Sequence, residues 1–241
     1  MHYDMDVLRR SLFIFGMLAA GLAPSQAVDC AGPVPGPRTL LRYGQAIFVG
    51  TVIKRVEDSG QSEFRVSEAF KGVTAEYVNV TEFPGEQSYE VGEQYLLFAG
   101  SCPWEPRDAG CLVSPPCLAT RPLEYAQAIV EQLRAEKSGR RVASLYGMLW
   151  RLKPGDGGSI DRPLANVMVR VRAGERSFET KTDDHGAYAF PRLPKGRYEV
   201  SADLPPGLVL AQQFDQRPVP PFDLPSRSSF EYDIYARPTG N

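Results

Sequence analysis

Four cysteines carry the most readily assigned chemistry in this sequence: Cys30, Cys102, Cys111 and Cys117. An even number of cysteines in an exported chain favours two disulfides. Three pairings are possible, and the short loop "CPWEPRDAGC" favours Cys102–Cys111, which leaves Cys30–Cys117. A metal site is the alternative, but no CxxC spacing occurs and only one histidine, His185, follows the first cysteine.

His185 lies in the segment "TDDHG", beside Asp183 and Asp184. A Ser–His–Asp triad would have to use this imidazole, yet no nucleophile elbow, phosphate loop or zinc motif accompanies it. Two neighbouring carboxylates are also far short of the roughly six to eight oxygens that calcium takes. We therefore predict no catalytic residue, no metal site and no cofactor, and we expect no enzymatic activity.

The same segment has the residues of a tight turn. The carboxylate of Asp183 can accept a hydrogen bond from the turn backbone, and Gly186 can adopt a positive φ at low cost. "LPKG" repeats the pattern, with Pro194 presetting φ and Gly196 expected in the left-handed conformation. The alternating aromatic residues of "AYAF" and "GRYEV" predict two strands that form the arms of a hairpin.

Short alternating segments also precede this region, among them "AIFVGTV", "SEFRVSEAF", "EYVNV" and "QYLLFAG". Ala46, Phe48 and Val52 form the expected inward face of the first strand, with a bulge or bend at Gly50. A helix is predicted in "RPLEYAQAIVEQLRAEK". Its expected inner residues are Leu123, Ala126, Val130 and Leu133, and its outer residues are Glu124, Gln127, Glu131 and Arg134.

Several short strands closed by one helix predict a small barrel. "AIFVGTV", "FRVSEAFKG", "VGEQYLLFAG" and "CLATRPLEYAQ" resemble, in this order, the bacterial members of the netrin-like fold, which is related to tissue inhibitors of metalloproteinases. The resemblance implies an OB-type barrel with a packed C-terminal helix over residues 28–135. It also raises protease inhibition as a function. In the animal inhibitors the first mature residue is a cysteine, whereas here Val28 and Asp29 would precede Cys30.

The second half of the chain follows a polar linker, residues 136–144, and again predicts strands. Val167, Val169 and Val171 share one strand face, and in "SSFEYDIYA" the aromatic residues are expected inward with Glu231 and Asp233 outward. "RPLANVMVRV", "TDDHGAYAFPRLPKGRYEVSA" and "LPPGLV" resemble the carboxypeptidase regulatory-like domain. That resemblance implies an Ig-like or prealbumin-like β-sandwich over residues 145–236, a module without catalytic residues of its own. The predicted fold class is therefore all-β.

The N-terminus predicts export. Arg9 and Arg10 precede an apolar run that is short for a membrane span, and "SQA" predicts cleavage after Ala27. Residues 1–27 are thus interpreted as a signal peptide, with a periplasmic or extracellular mature chain and no membrane span after cleavage; a retained membrane anchor is the alternative. The formal net charge of −2 gives no basic face for nucleic acid.

These patterns favour a secreted, non-enzymatic binding or structural module of the bacterial cell envelope or exterior, whose partner is an unknown protein or glycan. Two alternatives stay open: a secreted metalloprotease inhibitor, and a carbohydrate-binding module that uses Trp104 or Trp150 to stack on a sugar. Tryptophan is more often a largely buried core residue.

Overall fold

A computed structural model describes residues 36–56, 60–82, 89–103, 111–114, 120–155, 158–212, 219–225 and 229–239. Strands dominate these ranges, so the predicted all-β class is confirmed. The predicted signal peptide and the predicted Cys30–Cys117 pairing lie outside the described residues.

The first half of the chain forms a small closed barrel, as predicted. Its strands are β1 (Ala46–Val56), β2 (Gln61–Lys71), β3 (Tyr77–Thr81), β4 (Gln94–Ser101) and β5 (Leu112–Val113). They lie in the order β1-β2-β3-β5-β4, and β4 pairs back with β1 to close the barrel. A further two-residue strand, β6 (Arg121–Pro122), pairs with β4.

β1 bends so that it pairs with β2 along one edge and with β4 along the other. The register between β1 and β2 shifts between Val49 and Gly50, where the sequence predicted a bulge or bend. A Cβ added at Gly50 would lie 3.2 Å from the Cβ of Phe64. A larger residue would therefore push the two strands apart at this point.

Aromatic side chains fill the barrel interior. Phe48, Phe64, Tyr89 and Tyr95 meet edge to face, with ring centroids between 5.1 and 6.4 Å apart. Edge-to-face pairs of this kind add to the free energy gained by burying the rings. The barrel therefore has a core of its own.

The two faces of β1 belong to different cores. Ala46, Phe48 and Val52 line the barrel interior, as the alternating pattern predicted. Ile47 and Val49 are also buried, in an apolar cluster outside the barrel. Both faces of this strand are therefore covered, and the outer one lies beneath the helices.

Two helices cover the outside of the barrel: α1 (Pro37–Tyr43) and α2 (Gln127–Lys137). A single 3-10 turn, Leu123–Tyr125, precedes α2. The predicted inner residues Ala126, Val130 and Leu133 are buried. Gln132 is buried too, and its Oε1 is satisfied there by a hydrogen bond from the backbone N–H of Ala143 at 2.8 Å.

The second half of the chain is a β-sandwich, as predicted. It consists of β7 (Leu145–Leu152), β8 (Ile160–Pro163), β9 (Met168–Ala173), β10 (Arg176–Lys181), β11 (Ala187–Phe190), β12 (Gly196–Ala202), β13 (Leu208–Ala211), β14 (Phe222–Leu224), β15 (Phe230–Glu231) and β16 (Ile234–Pro238). One sheet has the order β10-β9-β12-β14. The other has the order β11-β7-β16-β13, with β8 and β15 also paired to β7.

β7 is the strand that joins the sandwich to the rest of the molecule. Leu145 and Leu149 point into the sandwich core. Tyr146, Met148 and Trp150 point the opposite way, into the cluster that also contains outer residues of the barrel and the inner face of α2. Since successive side chains alternate between the faces of a strand, β7 contributes to two cores at once.

The predicted hairpin between "AYAF" and "GRYEV" is wrong. β11 pairs with β7, whereas β12 pairs with β9 and β14, so the two arms lie in opposite sheets. The inward side chains Tyr188, Phe190 and Tyr198 nevertheless share one core, which they enter from opposite sides. Alternation identifies a half-buried strand without specifying which sheet it joins.

The Pro-rich segment before the last strand contains β14, which pairs with β12. One further expectation in this half needs correction. Glu231 was expected to point outward, but it is buried. The face of β15 that would be solvated in an isolated sandwich lies against the barrel strand β6, where Arg121 pairs with Glu231.

Candidate functional site

The predicted turn residues Asp183 and Gly186 connect β10 in one sheet to β11 in the other. Asp183 Oδ1 accepts hydrogen bonds from the backbone N–H groups of His185 and Ala187, both at 2.9 Å. Gly186 has a φ of +77°. A Cβ at Gly186 would lie 2.7 Å from the Cβ of Pro163. The sequence thus identified both residues and their roles.

The second predicted turn is only partly as expected. Pro194 lies in the connection that leads to β12, and its carbonyl accepts a hydrogen bond from the Tyr198 hydroxyl at 2.8 Å. Gly196 is the first residue of β12, and its φ is not positive. The left-handed conformation predicted for Gly196 is therefore wrong, because strand pairing with Leu224 holds this residue extended.

Cys102 and Cys111 form a disulfide, as predicted, with their Cα atoms 5.5 Å apart. The bond joins the end of β4 to the residue before β5. The backbone N–H of Cys102 also donates to the Cys111 carbonyl at 3.3 Å. The bond therefore holds together two strands of the barrel near its rim.

His185 is exposed and lines a cleft of about 650 Å³ between the barrel and the sandwich. The other polar residues of this cleft are Thr51, Glu93, Gln94, Glu124 and Gln127. Its imidazole has no hydrogen-bond or ion-pair partner within the described ranges. No group of three histidine, cysteine or acidic residues there has the arrangement of a metal site.

Trp150 is buried, with 1% of its surface exposed, and its ring packs edge to face against Tyr125 at 5.1 Å between centroids. This residue belongs to the core between barrel and sandwich and offers no free ring face to a sugar. Trp104 lies outside the described residues.

A buried ionic cluster lies where the barrel meets the sandwich. Arg121 from β6 donates to a carboxylate oxygen of Glu231 from β15, and Asp233 accepts from the backbone N–H of Met148 at 2.8 Å. Burial, opposed by Arg121 and reinforced by the charge of Asp233, raises the pKa of Glu231 to about 7. Burial likewise raises the pKa of Asp233, and Arg121 opposes this shift too. The positive charge of Arg121 thus stabilises the ionised forms of both Glu231 and Asp233.

Three polar atoms of this cluster are enclosed without a hydrogen-bond partner among the described residues: Arg121 Nε, Tyr146 Oη and Glu231 Oε2. Buried polar atoms are normally satisfied, so this is a point of weakness in an otherwise apolar junction. Sequence reasoning missed the cluster because the pattern of "SSFEYDIYA" alone places these carboxylates in solvent. The partner arginine is 110 residues away in the chain.

A second, larger cleft of about 1140 Å³ lies on α1, the polar segment after α2, and the β11–β12 connection of the sandwich. It is notable for its charge, since four arginines line it: Arg38, Arg140, Arg141 and Arg192. The arginines at 140 and 141 belong to the predicted linker, which the sequence indicated only as a polar boundary.

Neither a protein-family model nor a curated protein sequence matches this chain. The resemblances to the netrin-like and carboxypeptidase regulatory-like domains therefore stay predictions that rest on the quoted motifs. No helix within the described ranges is long and apolar enough to cross a membrane.

Proposed function

We propose that this protein is an exported, non-enzymatic binding module in which a netrin-like barrel and a carboxypeptidase regulatory-like sandwich act as one body. The observation that carries the proposal is the apolar cluster common to both halves. It combines Ile47, Val49, Leu96 and Phe98 of the barrel with Ile129, Val130 and Leu133 of α2 and Tyr146, Met148 and Trp150 of the sandwich.

A shared core of this kind supports a binding role because it fixes the clefts at the junction. Clefts between domains are preferred ligand sites, and a rigid site loses less conformational entropy on binding. Ion pairs add to the junction, since Arg121 of the barrel contacts Glu231 of the sandwich. Within the barrel half, Arg134 of α2 contacts Glu68 of β2.

The polar groups of the His185 cleft do not favour a reaction. In a catalytic triad, a carboxylate or similar group orients the general base by a hydrogen bond. Among the described residues, no group makes such a hydrogen bond to the His185 imidazole. The carboxylates of the ionic cluster, Glu231 and Asp233, line neither of the two clefts described here. Both observations favour binding over catalysis as the role of this chain.

The test uses the mature chain, residues 28–241, immobilised through a C-terminal tag and exposed to the envelope fraction of the organism that exports it. An unrelated exported β protein with the same tag is the control. We expect saturable capture of a specific component, whose binding is then reproduced with the purified component. Absence of saturable capture, or a substrate turnover that is lost in a folded His185→Ala variant, would contradict the proposal.

A further inference from the structure

The arginine-lined cleft has more charged residues in its lining than the His185 cleft. Arg38, Arg140, Arg141 and Arg192 are exposed, and among the described residues Glu136 is the only acidic one in the lining. Glu136 pairs with Arg38, with Nε and Oε1 2.9 Å apart. The chain as a whole has a formal net charge of −2. The positive charge of the cleft is therefore local and opposite in sign to that of the whole chain.

The cleft arginines differ from those on the exposed face of the sandwich. On β9 and β12, Arg170, Arg172 and Arg197 each form an ion pair with a carboxylate. In the cleft, neither Arg141 nor Arg192 has an ion-pair partner among the described residues. The guanidinium donors of Arg141 and Arg192 are therefore available to a ligand.

Apolar side chains lie among these charges. Phe178, Val142 and Leu193 are half-buried in the lining, and Pro191 and Pro194 are exposed. Guanidinium groups beside apolar surface are typical of protein interfaces, in which arginine is enriched while lysine and acidic residues are depleted. The lining thus fits a ligand that has carboxylates and apolar groups together.

The size and the aromatic content of the cleft narrow the ligand class. Its volume of about 1140 Å³ exceeds the roughly 300–1,000 Å³ of ordinary small-molecule pockets. An acidic glycan would favour a free aromatic ring for stacking. Phe178, the one aromatic residue that the described part of the chain contributes to the lining, is half-buried and packs against Tyr198.

We infer that this cleft binds an acidic segment of a partner protein, with carboxylates on Arg141 and Arg192 and an apolar side chain beside Leu193. The inference rests on the proposed binding function and names the chemistry of the partner. Guanidinium–carboxylate pairs are frequently bidentate, and complementary charges contribute mainly to the specificity and the association rate of an interface.

The experiment measures fluorescence anisotropy of a labelled peptide that is rich in glutamate and has a leucine at every fourth position. The Arg141→Gln/Arg192→Gln double variant is compared with Arg65→Gln/Arg162→Gln, which removes two exposed arginines outside the cleft. We expect the dissociation constant to rise about tenfold or more for the cleft variant, because two charge-assisted contacts are lost. We expect it to stay within about twofold for the control variant.

Two further arms identify the ligand source. The same peptide with glutamine in place of glutamate should not bind, and an oligomer of galacturonate should compete poorly. Equal binding by the two double variants, tighter binding of the galacturonate oligomer, or no binding of the peptide by the wild-type chain would each overturn the inference. If the envelope component captured by the wild-type chain is still captured by the cleft variant, the cleft assignment fails while the binding module stands.

Discussion

At the scale of single residues, Gly186 shows how much a turn position can be constrained. Its φ of +77° is unfavourable for any residue with a Cβ, and the Cβ would also contact Pro163 at 2.7 Å. Gly174 has a φ of +61° with no atom within 4 Å of an added Cβ. The two glycines therefore separate the cost of backbone conformation from the cost of a steric clash.

We predict that Gly174→Ala lowers the free energy of unfolding by about 1 kcal/mol, the cost of the left-handed conformation alone. Gly186→Ala should lower it by at least about 2 kcal/mol, because the clash adds to that cost. Urea denaturation of both variants measures the difference. Equal losses would show that the contact with Pro163 relaxes freely. His185→Ala, one position away and exposed, should leave stability unchanged.

Glu231 gives a prediction about pH. Its pKa is raised to about 7 in the folded chain from an ordinary value of 4.5. An acid whose folded pKa is raised binds its proton more tightly in the folded state. Its contribution to stability is therefore present in full below pH ~4.5 and is lost as the pH rises through ~7. At ~1.4 kcal/mol per pKa unit, the whole change is about 3–4 kcal/mol.

We predict that the wild-type chain loses stability between pH 5 and pH 7.5 and that Glu231→Gln, which cannot titrate, removes most of this loss. Glu199→Gln is the control, because Glu199 is an exposed residue paired with Arg172. Chemical denaturation at the two pH values gives the comparison. If Glu231→Gln and Glu199→Gln both keep the pH dependence of the wild-type chain, the loss of stability does not come from ionisation of Glu231, and the prediction is wrong.

These residues also show what sequence reasoning can reach. Asp183 and Gly186 were predictable because their roles depend on the backbone within a few residues of the turn. Cys102–Cys111 was predictable for the same reason, since the two cysteines are nine positions apart in the sequence. The burial of Glu231 was not, because it depends on Arg121, which approaches only when the barrel packs against the sandwich.

At the scale of elements, alternation predicted the strands of the barrel and sandwich but not their neighbours. The arms around the "LPKG" segment were each identified as half-buried strands, yet β11 and β12 joined different sheets. Local pattern determines which side chains face a core, and topology decides which strand lies beside which.

Helix α2 provides a test at this scale. Gln132 Oε1 accepts a hydrogen bond from the backbone N–H of Ala143 in a buried environment. Gln132→Met keeps the length of the side chain but leaves that N–H unsatisfied, so we predict a loss of about 1–3 kcal/mol in the free energy of unfolding. Gln127→Met, on the same helix and only half-buried, should cost less than about 0.5 kcal/mol. A larger loss for Gln127→Met would contradict the role assigned to Gln132.

At the scale of the whole molecule, β7 links the two predicted domains, because its side chains enter two different cores. Its odd-numbered leucines enter the sandwich core, while Tyr146, Met148 and Trp150 enter the core shared with the barrel and α2. The sequence predicted a domain boundary near residue 144. It did not indicate the shared core, because a strand buried on both faces resembles any continuous apolar run.

Hydrogen exchange of a Met148→Ala variant tests the central claim, a single body built on the shared core, most directly. Met148 is fully buried and lies on the sandwich side of the junction, and truncation of a buried methionine costs about 2–5 kcal/mol. We predict that amide protection falls by similar factors in β4 of the barrel and in β9 of the sandwich, since one cooperative unit opens as a whole. Loss of protection confined to the sandwich, with β4 unchanged, would contradict the account.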